Sequence, residues 1–238
     1  LSFAGYVANR IFGESHGTVV TAVIGGAYSS TAVTASLAQR LRGADSSQRT
    51  LSAGIALASA VMYIRVLLLT FIIADFAFLP LAMILTPAAL VAGGIGLLLL
   101  RRSGAARSDE SVDTRNPIHL LPAFFFAATV AVMSLAARWA EAKFGSSGIA
   151  YLVLIMGSFD VDAAIITLGT LPTDTIAANL AGFVLAMTVL ANMIFKAVVA
   201  GFAAGWKNGR SAVLALAASS VVLALAGAVS FAALDIRF

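Results

Sequence analysis

The chain has 238 residues, 61% of them hydrophobic and only 11% charged, with a mean hydropathy of +0.99. A soluble domain averages roughly 45–50% apolar and about 25% charged residues, so this composition excludes a soluble enzyme, a disordered tail and a nucleic-acid binder. The formal net charge is +4 and cysteine is absent, which removes disulfides, thiolate metal sites and cysteine nucleophiles. A small basic excess of this kind collects in the cytoplasmic loops of membrane proteins.

In chain order, Leu1 to Phe12 is apolar but too short to cross a bilayer. A crossing needs about 20 residues at 1.5 Å each for about 30 Å of hydrocarbon. The stretch is expected to be the tail of a helix truncated upstream, in a longer protein. Seven long apolar segments follow, at 17–38, 51–73, 78–100, 117–137, 148–168, 176–204 and 211–234. Gly, Ala, Ser and Thr are frequent inside them, as where helices pack closely in lipid, and Ala197, Gly201 and Gly205 predict a ridge of small residues. The long polar stretch 101–116 sets Arg101, Arg102, Arg107 and Arg115 against Asp109, Glu110 and Asp113. The expected fold is therefore all-α, a polytopic membrane helix bundle of about eight hydrophobic segments. It forms one membrane domain, with a first repeat over 1–100, a polar linker over 101–116 and a second repeat over 117–238.

The repeat rests on an offset of 131 residues. Eleven identities occur over the 80 pairs from Gly17/Gly148 to Gly96/Gly227, against about seven from composition alone. Rarer features carry more weight: Gly26-x-x-Ser29-x-Thr31-Ala32 overlays Gly157-x-x-Asp160-x-Asp162-Ala163, and Met62-x-x-Arg65 overlays Met193-x-x-Lys196. If every segment crosses, the repeats are parallel, and the 13 basic residues outside Arg65 and Lys196 divide 8 to 5 between the two sides. If 17–38 and 148–168 are discontinuous and do not cross, the division becomes 10 to 3. The positive-inside rule prefers the second arrangement, which makes the repeats inverted, with broken helices at the motif segments.

Asp160 and Asp162 lie within an apolar stretch. An ionisable residue at membrane depth costs roughly 2.5–3.5 kcal/mol on insertion scales, so it needs a partner or a task. On a regular helix these two carboxylates point about 200° apart; unwinding at Gly157-Ser158-Phe159 would let them converge and would free backbone carbonyls as further ligands. The first-half counterpart offers paired glycines and the hydroxyls of Ser29, Ser30 and Thr31. Carboxylates, carbonyls and hydroxyls suit a hard ion, so the candidate cation site is Asp160, Asp162, Ser29, Ser30 and Thr31 at the repeat interface, with Asp160 and Asp162 as metal ligands for Mg²⁺, Mn²⁺ or another divalent cation. Arg65, Lys196, Asn192, Met62 and Met193 are the residues that would tune it. Arg65 and Lys196 could instead pair with the carboxylates as structural glue, Lys196 could snorkel to the interface, and Met62 and Met193 could simply pack.

The motifs Gly-Gly-x-x-Ser-Ser-Thr-Ala-x-Thr at 25–34, Asp-Val-Asp-Ala at 160–163 and Asn192-x-x-x-Lys196, with Glu14-Ser15-His16-Gly17 at the opening, resemble an uncharacterised bacterial inner-membrane domain family. That family is commonly fused C-terminal to MgtC/SapB-type domains. The resemblance covers essentially the whole chain; the family's Gly-Gly before Asp-Val-Asp-Ala is Met156-Gly157 here. It implies a multi-pass protein of the bacterial inner membrane, a fused N-terminal membrane domain as partner and a loose link to magnesium physiology. The expected function is cation transport, with no catalytic residues, no required cofactor and no nucleic-acid partner; the expected partners are the lipid bilayer, the metal cation and a second copy in a homodimer. The alternative is a non-transporting scaffold or regulatory domain.

Overall fold

The computed structural model describes residues 14–43, 48–103, 150–155, 157–158, 160–171 and 176–233. The expected truncated first helix, the segment 117–137 and most of the polar linker lie outside the described residues. Seven helices occur among the described residues, with no strand: α1 (Glu14–Leu41), α2 (Gln48–Ile73), α3 (Asp75–Arg102), α4 (150–158, with 156 outside the described residues), α5 (Val161–Gly169), α6 (Ala178–Ala204) and α7 (Trp206–Ala233).

Five of them, α1 from Val19 onward, α2, α3, α6 and α7, are long and apolar enough to cross a membrane. The exposure pattern agrees with lipid as the solvent. Phe202 is 83% exposed, and Ile72 and Leu90 are exposed as well, while Ser52, Ser59, Thr188, Asn192 and Lys196 are buried. Water would penalise an apolar exterior of this extent, whereas hydrocarbon penalises outward polar groups. The chain is a multi-pass helical membrane protein.

The helix joins are tight. Ala74 alone separates α2 from α3, and Gly205 alone separates α6 from α7. Gly205 has φ +75°, a left-handed conformation that lacks a steric cost only for glycine. It therefore ends α6 and does not continue a small-residue ridge along it. α7 begins at Trp206, five residues before the apolar run. Its polar first turns are anchored locally, because Asn208 Nδ2 donates to Arg42 O at 3.1 Å and Ser52 and Ser211 share a hydroxyl hydrogen bond of 2.7 Å.

Two compact units divide these helices. The first comprises Leu1–Tyr63, Ala89–Ile118 and Met193–Ser219; the second comprises Ile64–Ala88, His119–Asn192 and Ser220–Phe238. Each unit thus draws on both sequence halves. In the first, α1 and α2 meet at Gly26, where an added Cβ would lie 2.7 Å from Ala58 Cα. In the second, α6 meets the kink-prone Pro80 of α3 at Gly182, where a Cβ would lie 2.9 Å from the proline ring. Both sites use glycine to let backbones approach closely.

Candidate functional site

The two motif segments are both broken helices. Inside α1, Ser29 leaves helical geometry (φ −154°, ψ 95°), and its Oγ accepts from Ala32 N at 3.3 Å. Asp160, 131 positions later, has nearly the same backbone (φ −143°, ψ 102°) and caps α5. Its Oδ1 accepts from Asp162 N at 3.0 Å and from Ala163 N at 3.4 Å. In both cases a short oxygen side chain takes over amides that the interrupted helix leaves without carbonyl partners. Among the described residues Gly157 and Ser158 are helical and Asp160 is extended. The expected unwinding therefore does not include Gly157 and Ser158, and Phe159 lies outside the described residues. The capping carboxylate makes Asp160 the start of α5, and Gly157 serves packing: a Cβ there would overlap the Thr188 methyl.

In the second unit the acidic motif is engaged. Arg65 Nη2, on α2, lies 2.9 Å from Asp162 Oδ1 and 2.8 Å from Oδ2. The two side chains are only 23% and 20% exposed, so the pair is largely desolvated. α4 and α6 are tied beside it, because Thr188 Oγ1 donates to Val153 O and Asn192 Nδ2 donates to Ser158 O, each at 3.4 Å. Asn192 therefore supports the end of α4 through its backbone. Asp160 and Asp162 have diverging duties, one capping a helix and the other holding a guanidinium. Among the described residues no cluster of three or more His, Cys, Asp or Glu side chains forms.

In the first unit a different cluster forms. Lys196 is fully buried, and its Nζ donates to Ser30 Oγ at 2.9 Å and Met62 Sδ at 2.8 Å, with Met193 Sδ at 3.6 Å. Snorkelling is thereby corrected: the ammonium points inward to named acceptors. The thioethers of Met62 and Met193, whose residue types favour plain packing, both touch the cation. Thr34 Oγ1 donates to the backbone Ser30 O at 2.8 Å. Thr31 is half-buried in the turn after the break.

The residues singled out from sequence thus fall into two constellations. Asp160, Asp162, Arg65 and Asn192 belong to the second unit, and Ser29, Ser30, Thr31, Met62, Met193 and Lys196 to the first. The sulfur contacts of Lys196 go beyond the packing role that the residue type alone suggests for Met62 and Met193. The available signal was the spacing of Met193 and Lys196, three apart on one helix face.

Among known proteins, no solved structure matches this chain. A protein of Aquifex aeolicus (strain VF5), described as "Uncharacterized protein", is 30% identical over 181 residues, which cover 75% of this chain and 78% of that protein. Residues 1–204 match the family described as Domain of unknown function (DUF4010), and the chain belongs to that family.

Proposed function

We propose that this chain is a cation transporter of the bacterial inner membrane, built from two inverted repeats, in which Asp160 and Asp162 bind a divalent cation in exchange for Arg65. The observation that carries this reading is the Arg65–Asp162 pair set at a helix break. A carboxylate there already holds a positive charge, and Asp160 two residues earlier adds a second carboxylate, a ligand type that suits Mg²⁺ or Mn²⁺. An arriving cation would compete with the guanidinium, so Arg65 would serve as the resident countercharge when the site is empty.

Three features support the repeat. α3 and α7 each have 28 residues and begin 131 positions apart, at Asp75 and Trp206. The helix breaks at Ser29 and Asp160 share that offset. Moving Arg65 and Asp162 by 131 in opposite senses gives Lys196 and Thr31, and Lys196 is bonded to Ser30, one residue away. The inverted sense is supported by where helix ends meet. Within the first unit the start of α7 contacts the end of α1 and the start of α2, and Gly205 alone joins α7 to the end of α6. The start of α2 and the end of α6 thus share one end of the bundle. On this reading, single cysteines replacing Gly43 and Asp174, 131 apart, should be labelled from opposite faces of the membrane; labelling from one face would restore parallel repeats. The absence of native cysteine makes the test direct.

A second reading draws on the same ion pair. Arg65–Asp162 ties α2 to α5, as a static scaffold or regulatory domain of an MgtC/SapB-linked protein would require. Mn²⁺ binding to the purified chain, read as loss of the free-ion electron paramagnetic resonance signal, separates the two. Cation transport predicts saturable binding that Asp162→Asn abolishes while the protein stays folded. Equal or absent binding in wild type and variant would leave the scaffold.

A further inference from the structure

The geometry points to a second cation site in the first unit, specific for a soft monovalent metal of the Cu(I) or Ag(I) class and built from Met62, Met193, Ser30 and Lys196. It does not depend on the divalent reading at Asp160 and Asp162, which lie in the other unit.

The position of Lys196 Nζ marks a point where three acceptors from three helices converge: Ser30 Oγ at 2.9 Å from α1, Met62 Sδ at 2.8 Å from α2 and Met193 Sδ at 3.6 Å from α6. Met62, Met193 and Lys196 are 0–2% exposed, and Ser30 is 3% exposed. A thioether is a weak hydrogen-bond acceptor for an ammonium, yet it is a preferred ligand for soft d¹⁰ ions. Two such sulfurs on one buried positive charge are better matched to a soft metal than to the ammonium they hold. Magnesium and calcium are disfavoured there, because they take oxygen ligands. Met193 and Lys196 lie three residues apart on α6, so one helix face delivers a sulfur and a nitrogen together.

Loading is a simple exchange of cations with no redox step. The Lys196 ammonium gives one proton to solvent, the freed nitrogen lone pair bonds to the metal, and the thioethers of Met62 and Met193 and the Ser30 hydroxyl complete the ligand set. The charge in the site stays at +1 before and after, so the buried position is never asked to hold a second charge. That conservation of charge is what lets a fully buried lysine and a metal alternate in one place.

The test uses Ag⁺ as a redox-stable probe, titrated calorimetrically into the full chain in chloride-free detergent solution. One Ag⁺ per chain is expected, with about one proton released as judged from buffers of different ionisation enthalpy. Met62→Leu and Met193→Leu should each lose no less than the roughly 10–100-fold that removal of an outer-shell partner costs a metal site. Lys196→Met should keep Ag⁺ binding and abolish the proton release, and Asp162→Asn should change neither. ¹³C-methyl-methionine spectra of the wild-type protein need no variant to fold: Ag⁺ should shift Met62 and Met193 and leave Met83 and Met187 in place. No stoichiometric Ag⁺ binding, binding without proton release, or shifts at Met83 and Met187 instead would overturn the assignment and leave Lys196 a structural ammonium.

Discussion

Arg65→Met should lower the stability of the chain by about 2–3 kcal/mol, yet tighten its binding of Mn²⁺. Breaking a buried ion pair from one side typically costs about 3–5 kcal/mol, because the remaining charge is left desolvated without compensation. Asp162 and Arg65 each retain about a fifth of their side-chain exposure, so water recovers part of that cost. Methionine keeps most of the length and apolar contact of the arginine stem. The double variant Arg65→Met/Asp162→Asn should regain much of the loss, since no orphan carboxylate remains. The opposite movement of affinity follows from competition: a cation at Asp162 no longer has to displace a tethered guanidinium. Unfolding midpoints in detergent and Mn²⁺ titrations on the same samples read both effects. A variant that is destabilised and also binds Mn²⁺ more weakly would make Arg65 a support of the site and not a competitor.

At Asp160 the two duties can be separated by side-chain choice. Asparagine caps a helix about as well as aspartate, whereas alanine forfeits the cap at a cost of about 1 kcal/mol. Asp160→Asn should therefore keep the start of α5 and the unfolding midpoint. Its Mn²⁺ affinity should fall at least about tenfold, the equivalent of 1.4 kcal/mol, because one of two carboxylates has lost its charge. Asp160→Ala should show the same affinity loss together with a lower midpoint. If Asp160→Asn binds Mn²⁺ as the wild type does, Asp160 is a cap alone.

The helices were legible in the sequence as runs of apolar residues, and the boundaries of α2, α3 and α6 fall close to the hydropathy limits. α7 extends five residues before the apolar run at Ser211, where Lys207, Asn208 and Arg210 have the composition of a loop. Their anchor, Asn208 to Arg42, joins positions 166 apart, which no local window detects. The breaks in α1 and before α5 were foreseeable from glycines and polar clusters. Their placement was not, because the deciding bonds are side-chain caps at Ser29 and Asp160. Arg65 as the partner of Asp162 was one of few options for a charge at membrane depth. Lys196 was harder: an ammonium in an apolar helix reads equally as snorkelling or paired, and its partners Ser30 and Met62 lie 166 and 134 positions away. Only the packing of three helices decides between these.

The most direct test of the central claim is cation flux through the chain reconstituted into liposomes loaded with a Mn²⁺-quenched fluorophore. Wild-type protein is expected to admit Mn²⁺ with saturation in external Mn²⁺, and Asp162→Asn, inserted to the same density, is expected to be silent. Wild-type liposomes as tight as protein-free ones, or equal flux through wild type and Asp162→Asn, would contradict transport at this site.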